Sequence, residues 1–155
     1  MKLLKIIPLI LLIGVNTLLA DAAKVVYDLT SGDSSKIEKH SIKSIKAVAE
    51  YYQKEKKEFK ATVVISGDAY KYFVNDLNKS PYADQMDVLA VQPHFKPLLK
   101  YLNDEHHVVF NMCSSGMKAR KIEKETLYHY VHSDVMKSIY LIEAQNKGYA
   151  YIPIH

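Results

Sequence analysis

The sequence predicts an α/β domain: an open, mostly parallel sheet with helices on both faces. Three observations lead there. Short runs rich in β-branched residues recur at Val25-Val26-Tyr27, at Ala61-Thr62-Val63-Val64-Ile65 and at Val108-Val109-Phe110, too continuously apolar for a sheet that is wet on one side. Each run gives way to Ser, Gly, Asp or Cys-Ser-Ser loop chemistry. Helical patterns lie between the runs, which is the alternation that βα units produce. The composition, 48% hydrophobic and 25% charged over 155 residues, is that of one ordinary globular domain.

The elements follow in order. Residues 1–22 are set aside first: Met1-Lys2 and Lys5 supply a positive start, and Ile6 to Leu19 an apolar run shorter than the roughly 20 residues that span a bilayer. This is the pattern of a secretory signal peptide cleaved after Ala20 or Ala22, with an uncleaved membrane anchor as the alternative. Lys24 to Leu29 then reads as a strand, and Thr30-Ser31-Gly32-Asp33 as a loop. From Ser35 to Tyr52 the apolar Ile42, Ile45, Ala49 and Tyr52 recur at steps of three and four, the spacing of an amphipathic helix. Ala61 to Ile65 is a buried strand that turns at Ser66-Gly67-Asp68 into a helix expected from Ala69 to Leu77. Asn78 to Pro81 is a break. Val88 to Leu102 carries a second helical pattern, with Pro93 or Pro97 near its start, where a missing N–H costs nothing. Val108 to Met112 is a third buried strand, followed by a helix capped by Ser114 or Ser115 that runs through Met117 and Ile122. Tyr130 to His132 is a short fourth strand, Ser133 a candidate cap for a helix from Asp134 to Asn146, and Tyr149 to Ile152 a last strand stopped by Pro153.

In open α/β sheets functional groups gather at the carboxyl ends of strands, where helix amino termini point. Cys113, the sole cysteine, falls at such a junction. Unpaired backbone N–H groups there favour thiolate over thiol, and Lys118 and Arg120 lie within two turns to add positive potential. A lone cysteine forms no internal disulfide, so in an oxidising compartment it is captured or used. Position alone leaves open the alternative that Cys113 simply packs, because free cysteine is among the most buried side chains.

The stretch Asn111 to Ile122, NMCSSGMKARKI, and the closing Ala144 to Pro153, AQNKGYAYIP, resemble the DsrE/DsrF-like family, specifically its small exported members. KVVYDL and VVISGDAYKYF fit the same order, so the resemblance covers residues 23–155. It implies a flavodoxin-like domain that forms homo- or hetero-oligomers, commonly trimers or hexamers, with a homo-oligomer expected here, and a periplasmic location. In sulfur-relay members a cysteine at the position of Cys113 carries sulfur as a persulfide between donor and acceptor proteins, with no metal or organic cofactor. Ser114, Ser115 and Gly116 would then supply backbone N–H groups around the sulfur. Ser66-Gly67 forms a second loop, standing where similar exported proteins often show His-Gly, so no general base is implied there. The competing function is a non-catalytic oligomeric module that binds a small anion or a protein, with Cys113 structural.

Other chemistries have less behind them. A formal charge of +4 is far below the basic density that phosphate neutralisation needs, so nucleic acid is not an expected partner, nor is a membrane once the signal is removed. Of the seven histidines only His106-His107 and His129-x-x-His132 are close, and neither pair converges outside a helix, so no metal site is expected. No Gly-x-Ser-x-Gly elbow is present. Twelve tyrosines are expected to divide between core edges and an oligomer interface.

Overall fold

The computed structural model describes residues 22–155. The expected signal segment, residues 1–22, lies outside them except for Ala22. Five strands, β1 (Ala23–Leu29), β2 (Phe59–Ile65), β3 (Val109–Met112), β4 (Val131–His132) and β5 (Ala150–Ile154), form one sheet in the order β4-β3-β2-β1-β5. Every neighbouring pair is parallel, with Val25 beside Ala61 and Ala150, and Ile65 beside Met112. This is the α/β, flavodoxin-like architecture that the sequence predicts.

Alternation along the strands divides two unequal layers. Val25, Tyr27 and Leu29 of β1, Val63 and Ile65 of β2 and Phe110 and Met112 of β3 face one way, into the main core. Two helical segments cover them. The first, α1, occupies 34–54: an α-helical turn, Ser34–Lys36, a π-helical stretch, Ile37–Lys43, and an α-helix, Ser44–Lys54. It opens on the Asp33 carboxylate, which accepts the N–H groups of Ser35 and Lys36. The second, α2 (Met86–His106), adds Val88, Phe95, Leu99 and Leu102. On the other face Val26 and Val64 meet Ala144, Tyr140 and Leu141, so one helix, α4 (Lys137–Asn146), carries most of that layer. Between β3 and β4 lies the short α3 (Ser114–Arg120). Among the described residues no helix is long and apolar enough to cross a membrane.

Several expectations need correction. Ala69 to Leu77 is not one helix but a 3₁₀ turn, Ala69–Phe73, after which Val74 extends to pair antiparallel with Leu127. Its apolar side chains are sunk in the core, and burial rather than helical spacing places them. Neither proline starts α2: Pro93 and Pro97 lie inside it on the exposed face, where water can satisfy the carbonyls they leave unpaired. Ser133 does not cap α4, which begins at Lys137 because the Asp134 N–H donates instead to the Tyr140 hydroxyl at 2.8 Å. Neither Ser114 nor Ser115 caps α3; Cys113 itself holds the cap position. Pro153 does not stop β5 but lies within it beside Asp28, which an edge strand tolerates.

Candidate functional site

Cys113 leaves β3 with extended backbone, φ −64° and ψ 112°, and its own N–H donates to the Ile65 carbonyl at 3.0 Å. Its carbonyl is held on the other side by the buried Tyr70, whose hydroxyl donates to it at 2.9 Å. The residue is only 7% exposed, yet its sulfur borders an open cavity of about 270 Å³ lined also by Ser115, Met136, Lys137, Ser138 and Leu141. The Ser115 hydroxyl lies 3.2 Å from Sγ, and the backbone N–H of Lys137 donates to Sγ at 3.2 Å. Burial pushes the thiol up. The Ser115 hydroxyl, the backbone N–H groups of Gly116 and Lys137 and the Tyr70 hydroxyl outweigh it, and together bring the thiol down to about 7. Near neutral pH such a thiol is partly thiolate and opens on solvent, so it can act as a nucleophile.

The structure gathers some of the expected site residues and separates others. Ser115 and Gly116 stand at the sulfur. Ser114 turns aside: its N–H donates to the Val135 carbonyl at 3.1 Å, and its side chain lines a different cavity together with Lys118. Arg120 lies over the Tyr70 ring, 5.0 Å from its centroid, and 3.7 Å from the Asp68 carboxylate. Lys118 and Arg120 therefore line no part of the Cys113 cavity. Ser66 is buried, and Gly67, at φ 62°, lets the loop press on β1: a Cβ there would stand 2.7 Å from the Thr30 carbonyl oxygen. Ser66 and Gly67 likewise lie outside the cavity lining. Among the described residues no three His, Cys, Asp or Glu side chains gather to hold a metal.

The model of the DsrE/DsrF-like family matches residues 23–154, nearly the whole described chain. The chain belongs to the DsrE/DsrF-like family. An uncharacterized protein of Aquifex aeolicus is 30% identical to it over 136 residues, which are 88% of this chain and 58% of that relative. The chain thus spans little more than half the length of the curated relative it matches. A solved structure, a protein of unknown function from Methanobacterium thermoautotrophicum, superposes with a TM-score of 0.60 over 84% of this chain and 98% of its own, at 18% identity. At that identity the likeness is one of fold.

Within this DsrE-like domain the residues that the sequence alone did not bring to the sulfur are Tyr70, Met136, Lys137, Ser138 and Leu141. Lys137 is 24 residues from Cys113 and Tyr70 is 43, and no periodic pattern reports a contact across such gaps. The amino end of α4 is the largest omission. Expecting that helix to start at Asp134 put its first N–H groups a turn away from where they act.

Proposed function

We propose that this DsrE-like protein is a sulfur carrier whose Cys113 thiolate holds sulfane sulfur as a persulfide. The observation that carries the reading is a single thiol held down to about 7, chiefly by the Ser115 hydroxyl and the Gly116 and Lys137 N–H groups, while facing an open cavity. The chemistry balances without a cofactor. The Cys113 thiolate attacks the sulfane sulfur of a donor such as thiosulfate. One S–S bond forms, the donor's S–S bond breaks, and sulfite leaves with the bonding electron pair. An acceptor thiolate then attacks the outer sulfur and takes it, returning Cys113 as thiolate. The donors around Sγ stabilise the anion when it is the leaving group.

Met136, Ile139 and Ile142 are 46%, 38% and 57% exposed along α4 beside the cavity. An apolar rim of this kind supports protein contacts at this face, whether with copies of the chain in a trimer or hexamer or with a donor or acceptor protein. The exported, periplasmic setting belongs to the same proposal and rests on residues 1–22.

Incubating the purified protein with thiosulfate or polysulfide should add the mass of one sulfur, and Cys113→Ser should abolish the gain. An unchanged mass on a demonstrably free thiol would overturn the reading in favour of a cysteine that only packs.

A further inference from the structure

Asp28 is a carboxylate 3% exposed, in the middle of the sheet, on the face covered by α4. A charge so placed must be paired. The Lys137 ammonium lies 2.8 Å from its Oδ1, and the Tyr151 hydroxyl donates to its Oδ2 at 2.8 Å. Lys137 is the first residue of α4, and its backbone N–H donates to the Cys113 sulfur. One residue is therefore gripped twice, by its side chain from the sheet and by its main chain from the thiol. Met136, at the cap position of α4, makes no side-chain cap bond, and the sulfur takes up the first of the helix's otherwise unpaired N–H groups.

We infer, resting on Cys113 as the working thiol, that Asp28 and Tyr151 are positioning residues: they clamp Lys137 and so aim the amino end of α4 at the sulfur. An ion pair on a buried carboxylate is a poor means of merely joining a helix to a sheet, because well-packed hydrocarbon of similar volume does so equally well or better. Its distinctive property is fixed geometry. Here the positioned atom is the Lys137 backbone N–H, at the opposite end of the lysine stem from the clamped ammonium, and it meets a developing or resident negative charge. The other end of the loop is held separately, by the Asp134 N–H on the Tyr140 hydroxyl. The groups that bear on the titration of Cys113 come from several elements: Ser115 and Gly116 from α3, Lys137 from α4, Tyr70 from the turn after β2, and behind Lys137 the Asp28 of β1 and Tyr151 of β5. Arg120 is engaged by Asp68.

The test is the pH profile of Cys113 alkylation by iodoacetamide, read by intact mass, in the wild type and in a double variant, Asp28→Asn with Lys137→Met. The double variant removes one charge of each sign and leaves the net charge unaltered, and Tyr151→Phe, which removes no charge, separates geometry from the loss of the ammonium beside the cavity. With its circular dichroism unchanged, its midpoint should rise by about one pH unit from a wild-type value near 7, and Lys137→Arg alone should keep the wild-type midpoint. A folded double variant with an unmoved midpoint overturns the clamp. Should that variant fail to fold, Tyr151→Phe decides: its side chain is 42% exposed, and losing one hydrogen bond to Asp28 should still raise the midpoint measurably. No rise there overturns the clamp as well. A midpoint that moves as described in a protein that takes up no sulfur from thiosulfate supports the clamp and sinks only the sulfur-carrier reading.

Discussion

Replacing Gly116 by alanine puts a methyl carbon where the Tyr70 phenol already stands. The new Cβ would fall inside contact distance of the Tyr70 hydroxyl, with ring Cζ at 2.7 Å and Cε2 at 3.1 Å. Tyr70 has little freedom to yield, being 1% exposed, bonded to the Cys113 carbonyl and covered by Arg120. Forcing a methyl into such a site costs about 1–3 kcal/mol, and losing the tyrosine's hydrogen bond about 1 kcal/mol more. Alanine's better helical propensity returns about 0.5–1 kcal/mol. The net is a destabilisation of about 1–3.5 kcal/mol, which at an m-value of about 2 kcal/mol/M lowers the urea midpoint by roughly 0.5–1.7 M. Tyr70→Phe supplies the internal control. It removes the atom in worst conflict, so the double variant should be less destabilised than the sum of the two single changes. A neutral or stabilised Gly116→Ala, or strict additivity with Tyr70→Phe, would refute the packing of α3 on Tyr70. It would also remove the account of how the Gly116 N–H is held at the sulfur.

Two further outcomes follow from the same coordinates. Because the folded thiol is held at about 7, below its ordinary value, its ionisation contributes stability that is present above the unfolded value of about 8.5 and is lost as pH falls through 7. The stability of the wild type relative to Cys113→Ser, followed by urea denaturation, should therefore grow between pH 7 and pH 9; a constant difference would show that the fold does not favour the thiolate. Gly67→Ala meets both a positive φ and the Thr30 carbonyl, and should cost about 1–3 kcal/mol while leaving the alkylation midpoint of Cys113 unmoved. A moved midpoint would show that the second loop acts on the sulfur after all.

The fold was legible because burial leaves apolar, β-branched strands, and Val25 to Leu29 and Ala61 to Ile65 carry that mark plainly, whereas in β3 only Phe110 and Met112 are buried and Val109 is exposed. Cys113 was legible for a local reason, since it sits between its strand and its helix in the chain itself. The rest of its surroundings arrive through long-range contacts. Lys137 reaches the sulfur with a backbone group, and every residue type has one, so its identity gave no signal. Asp28 reads in the sequence as one more residue of the first strand, with no partner in view. Only the arrival of α4 and β5 on the same face gives it partners. Arg120 was misleading in the opposite way: nearness in sequence suggested a thiolate partner, whereas the helical turn swings it to the Tyr70 side.

The two layers of the sheet are unequal, and the difference bears on access. The main core locks α1 and α2 through many large side chains, while α4 rests on Val26 and Val64 largely through Ala144, Tyr140 and Leu141. The wall of the thiol's cavity therefore rests on directional polar contacts, Lys137 on Asp28 and the Asp134 N–H on Tyr140, more than on hydrocarbon, so the shape of the entrance depends on a few bonds above an otherwise tightly packed sheet.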